Sequence, residues 1–66
     1  MSYKKFVHEI FRKTKAMGIA SDRVLFKNDG NMYRAKAAGV RFTANSVSPI
    51  ITCLWGSGHV ATFKAV

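Results

Sequence analysis

Residues 31–44 read NMYRAKAAGVRFTA, and their alternation decides the fold. From Asn31 to Ala37, Tyr33, Ala35 and Ala37 alternate with Met32, Arg34 and Lys36. From Val40 to Ala44, Val40, Phe42 and Ala44 alternate with Arg41 and Thr43. A period of two sends successive side chains to opposite faces, so each segment predicts a strand with one apolar face. The alanines and Lys36 are tolerated in a helix as well, but the alternation points to a sheet. Gly39 between the two segments permits a bend or bulge. If the Tyr33–Ala44 apolar set faces a core, then Arg34, Lys36 and Arg41 share the opposite face on adjoining strands.

Working towards the N-terminus, Asn28-Asp29-Gly30-Asn31 is a strong turn signal, and Arg23 to Lys27 before it reads as a strand. Further back the period changes. Tyr3, Phe6, Val7, Ile10, Phe11, Thr14 and Met17 recur at steps of three and four, which places them on one helical stripe. Lys4, Lys5, His8, Glu9, Arg12, Lys13 and Lys15 fall largely on the remaining arc. With Ser2 as N-cap and Gly18 as the residue past the end, the spacing predicts a helix from Tyr3 to Met17.

Working towards the C-terminus, Asn45 to Pro49 reads as a loop and Ile50 to Trp55, rich in β-branched residues, as a strand. Gly56-Ser57-Gly58 is a short hairpin connection, and His59 to Val66 is the expected partner strand. The expected fold is α+β: one N-terminal helix packed on a small antiparallel sheet of four to five strands, in the order α-β-β-β-β-β. Such a sheet has one face covered by the helix and one left open to solvent or a partner. An edge strand is also a route to a homodimer, which would help so small a core.

The chain has 66 residues and a formal net charge of +8, from eleven Lys and Arg against Glu9, Asp22 and Asp29. Residues 1–66 form a single basic domain, and chains of about 60 residues bury only about 60% of their unfolded surface, enough for one thin core. A hydrophobic fraction of 48% argues against disorder. The charge excess is unfavourable for compactness and draws the protein towards polyanions. Cys53 is the only cysteine, so no intramolecular disulfide and no cysteine-based zinc cluster is available, which fits a reducing, cytoplasmic setting. His8 and Glu9 break the apolar run from Phe6 to Phe11, so no signal-peptide core exists there. Residues 43–62 carry no Asp, Glu, Lys or Arg, but Asn45, Ser46, Ser48, Pro49, Gly56, Ser57, Gly58 and His59 interrupt that stretch as a membrane span.

Two groups of residues are candidates for binding a polyanion. The helix carries Lys4, Lys5, Arg12, Lys13 and Lys15, a face that can lie along phosphates. Its plainer interpretation is a solvated polar arc with a weak Glu9–Lys13 pair, and the same helix could lie on an anionic membrane. The open sheet face carries Arg34, Lys36 and Arg41, to which Trp55, and less strongly Tyr33, would add a stacking surface for bases. Core packing or an edge cover is the plainer role for Trp55. The Gly56-Ser57-Gly58-His59 segment could cradle a small anion through backbone amides, although a hairpin turn explains it as well.

Catalysis finds little support. His8, His59, Cys53 and three acids show no metal-ligand spacing, no paired carboxylates and no activated nucleophile. No cofactor or metal is expected. The leading expectation is a non-enzymatic binder of RNA or DNA, using the helix lysines and the Arg34, Lys36 and Arg41 face on phosphates. The first alternative is a small accessory protein, of the kind bacteriophages or mobile elements encode, that docks on an acidic surface of a larger protein and modulates or inhibits it. The second is an oligomeric binder of a small anionic nucleotide. The start Met and a strand reaching the last residue are expected to mark a complete short reading frame.

Overall fold

A computed structural model describes residues 1–65, with Val66, the end of the expected last strand, outside the described residues. The elements are α1 (Tyr3–Ala16), a 3-10 turn (Ser21–Arg23), β1 (Leu25–Asp29), β2 (Met32–Ala37), β3 (Val40–Asn45), β4 (Ile50–Trp55) and β5 (Val60–Lys64). All five strands form one antiparallel sheet in the order β1-β2-β3-β4-β5. The expected helix-then-meander order is the observed one. Among the described residues, no helix is long and apolar enough to cross a membrane.

Helix α1 begins and ends where its sequence signals say. Ser2 Oγ accepts the Lys5 backbone N–H at 3.1 Å, satisfying one of the free amides of the first turn. At the other end the Ile19 N–H donates to the Thr14 carbonyl at 2.9 Å and the Gly18 N–H to Lys15 at 3.1 Å. This pair of bonds needs a left-handed residue between them, and Gly18 supplies it at φ +78°. Lys13 and Lys15 in the last turn complement the partial negative charge of the helix end.

The helix covers one face of the sheet. Phe6, Ile10, Tyr33, Ala35, Ala37, Val40, Phe42, Ala44, Ile51 and Cys53 are buried between the two layers. Alanines on β2 and β3 leave room for aromatic rings: Phe6 meets Tyr33 at 5.6 Å and Phe26 at 6.3 Å, and Phe11 meets Phe26 at 5.1 Å. The Tyr33 hydroxyl donates to the Met1 carbonyl at 3.0 Å, which gives this ring a polar partner at the edge of the core.

Three local expectations need correction. Glu9 does not lie on the solvent arc: it is 2% exposed, and its carboxylate accepts from Arg12 Nε at 2.9 Å. A helix this short covers five strands only with a wide stripe, so the buried arc extends past Phe6 and Ile10 to Glu9, while Phe11 and Met17 stay at its outer margin. The first strand starts at Leu25 and not Arg23, because residues 21–23 turn with the Arg23 N–H on the Ala20 carbonyl at 3.0 Å. It also runs on to Asp29, which pairs with Met32, so that Gly30 and Asn31 alone make the turn.

Among the described residues, one backbone position is strained, and it lies in the β2–β3 turn. Ala38 and Gly39 join the strands with φ of +44° and +77°. Two positive φ values give a turn whose twist matches the flanking strands, and Asn-Gly is its preferred pair. An alanine Cβ opposes that conformation by about 1–2 kcal/mol. Ala38→Asn is therefore expected to stabilise the protein by about 1 kcal/mol, raising Tm by about 4–8 °C for a domain of this size. Thermal unfolding followed by circular dichroism checks it.

Candidate functional site

The open face of the sheet can be read row by row from the strand register. One row runs Leu25, Lys36, Arg41, Leu54, Val60 across all five strands. The next runs Lys27, Arg34, Thr43, Thr52, Thr62. Beyond it lie Asp29, Met32 and Asn45 on one side and Ile50 with Lys64 on the other. The first row, the second row as far as Thr52, and Met32 border a trough of about 560 Å³ whose floor is the sheet and whose edges are Leu25 and Lys27 on β1 and Val60 on β5; Asp29, Asn45, Ile50, Thr62 and Lys64 lie outside it.

Its electrostatics are one-sided. Lys27, Arg34, Lys36, Arg41 and Lys64 point into or beside the trough, against Asp29 at one margin. Asp29 lies 3.7 Å from Lys27 and 3.9 Å from Arg34, exposed contacts that contribute little. Two like-charge pairs stand directly opposite each other across strands: Lys36 with Arg41, and Lys27 with Arg34. Such pairs are destabilising in a sheet, by up to about 1 kcal/mol each.

The aliphatic content of this face was not anticipated. Leu25 is 67% and Val60 56% exposed, and Met32, Ile50 and Leu54 are exposed as well. Lys27 and Lys64 were also missed as members of the charged set. The signal was present as simple parity along β1, β4 and β5, but it becomes a surface only once the strand register is known.

The expected site residues divide between two opposed surfaces. Arg34, Lys36 and Arg41 come together on the open face as expected. Lys4, Lys5, Arg12, Lys13 and Lys15 lie on the helix layer, on the other side of the sheet, so no flat ligand meets both groups at once. Lys13 is further engaged, with its ammonium 4.9 Å from the centre of the Phe63 ring.

Trp55 is not part of a stacking platform with Arg34. It pairs with Val40, a buried residue of the covered face, and follows Ile51 and Cys53 in parity. The indole lies at the sheet's end, partly buried against the core and 5.1 Å from the His59 ring. It borders a second cleft of about 420 Å³ that wraps round this end, with Gly39, Gly56 and Gly58 as small walls and Lys36 and Arg41 at its other side. Tyr33 is buried under the helix and offers no ring to the open face. All eight aromatic residues lie on the helix or the helix-covered side, so the open face carries none.

The Gly56–His59 segment is a hairpin turn. The Gly56 N–H donates to the Gly39 carbonyl and the Gly58 N–H to Trp55, each at 2.9 Å, so two amides of an anion cradle are already used. Cys53 is buried; burial pushes its thiol up from the ordinary range, with nearby Lys13 pulling slightly back, so it rests as a protonated, small apolar residue. His8 and His59 are exposed, and among the described residues no group of three or more His, Cys, Asp and Glu could hold a metal. No protein-family model, curated protein or solved structure matches this chain.

Proposed function

We propose that this protein is a non-enzymatic nucleic-acid-binding protein that works through its open sheet face. The observation that carries the reading is the two like-charge register pairs, Lys36 opposite Arg41 and Lys27 opposite Arg34, with Asp29 the one acid beside them, on the face the helix leaves bare. A fold with eleven cations had room to stagger them, and juxtaposing them weakens the sheet. A row of phosphates turns that repulsion into attraction and supplies acceptors for two guanidinium forks. Local rules broken without a structural gain point to a working surface. Trp55, at the end of the same sheet, can meet a base only where a strand leaves the trough.

Titration of labelled duplex DNA, single-stranded DNA and RNA at two salt concentrations tests this directly. Submicromolar binding to one class near physiological salt is expected, tighter than the roughly 10⁻⁴–10⁻⁶ M typical of non-specific contacts. Five cations on the face set a limit of about −4.5 on the slope of log K against log salt. Uniformly weak binding to all three classes would overturn the reading and turn the search to an acidic protein partner.

A further inference from the structure

The open face sets a row of exposed aliphatic side chains beside its cations. We infer that this face binds double-stranded DNA from the minor-groove side and bends it, with Leu54 and Val60 acting as wedges between base steps. The inference rests on the nucleic-acid reading of the same face and goes further in naming the ligand and its deformation.

Three observations converge. The first is the missing aromatic platform. Proteins that hold single strands stack successive bases on rings, and this face offers no run of them, only the single Trp55 ring at the sheet's end beside Lys36, Arg41 and Leu54.

The second is width. Five strands at about 4.8 Å spacing span about 19 Å, whereas the major groove is about 12 Å wide and admits a helix or a two-stranded ribbon. A sheet this wide seats only on a broad, shallow surface. In DNA, that surface is a minor groove opened by bending away from the protein.

The third is composition. Leu54 and Val60 are directly paired across β4 and β5, both exposed, and Leu25 stands at the far end of the same row with Lys36 and Arg41 between. Aliphatic side chains pressed into the minor groove lie on deoxyribose and pry base steps apart, while flanking cations hold the phosphates on either side. Against duplex RNA the same hydrocarbon would face a surface of 2′-hydroxyls, which it cannot satisfy. Thr43, Thr52 and Thr62 in the adjoining row supply hydroxyls suited to the acceptor atoms of the groove floor.

The test is a duplex labelled at both ends with a fluorescence donor and acceptor. The protein's longest extent, 27 Å, covers about 8 base pairs at about 3.4 Å each, so a duplex of twice that length leaves free arms to report a bend. Saturating protein is expected to raise energy transfer, as a bend in the range of about 20–90° would. The double variant Leu54→Ala with Val60→Ala changes two exposed side chains and should bind more weakly, and at saturating protein it should lose most of that rise. Single-stranded DNA and duplex RNA of equal length should bind at least tenfold more weakly. Tight binding with unchanged transfer, or a preference for either of those ligands, would overturn this inference and leave the nucleic-acid reading standing. Failure to bind any nucleic acid near physiological salt would overturn both.

Discussion

Phe6→Ala is expected to remove a large part of the protein's stability, about 3–5 kcal/mol. Phe6 is fully buried and touches the rings of Tyr3, Phe26 and Tyr33, which joins the helix to β1 and β2. Truncating a buried phenylalanine costs about 3–5 kcal/mol through lost transfer energy and the cavity left behind. A chain of this length has a total stability of only about 3–10 kcal/mol at the usual 0.05–0.15 kcal/mol per residue. The helix is also the main element covering the sheet, so loosening it exposes Ala35, Phe42 and Cys53 together. Phe11→Ala, on a ring at the margin of the interface, should cost far less. Urea unfolding of both variants checks the contrast. A cost for Phe6→Ala no greater than that for Phe11→Ala would mean the helix is not what holds the sheet.

The fold was legible in residues 31–44 and 3–17 because each carries a clean period, of two or of three to four, and a capping or turn residue at its ends. Register was not legible, since it depends on turn geometry that Ala38-Gly39 and Gly30-Asn31 set locally. Once the turns are known to hold two residues each, Lys36 must face Arg41 and Lys27 must face Arg34. The placement of Trp55 was within reach of parity: Ile51, Cys53 and Trp55 are odd-numbered neighbours on one strand, and the most apolar of them fix the covered side. Core packing or an edge cover is the plainer role for that ring, and it does lie partly buried against the core at the sheet's end. Glu9 was misplaced for a different reason. Polar residues at the flank of a helix are assigned to solvent by pattern alone, and only the breadth of a five-stranded sheet forces one inward.

The second large effect separates the location of charge from its amount. Charged hydrogen bonds contribute about 1.5–3 kcal/mol each, so losing two contacts lowers affinity by about a hundredfold or more. Arg34→Glu with Arg41→Glu reverses two charges in the trough and lowers the net charge from +8 to +4. Lys4→Glu with Lys15→Glu lowers it to the same +4 on the exposed side of the helix. General attraction to a polyanion would respond equally to both. All four side chains are exposed, and each double variant should fold, the trough variant more stably as its like-charge pairs are relieved.

The most direct measurement of the central claim is therefore the dissociation constant of these two double variants for the same duplex, at one near-physiological salt concentration, beside the unaltered protein. The account predicts a loss of about a hundredfold or more for Arg34→Glu with Arg41→Glu and less than about tenfold for Lys4→Glu with Lys15→Glu. Equal losses, or a larger loss from the helix variant, would contradict the assignment of binding to the open sheet face.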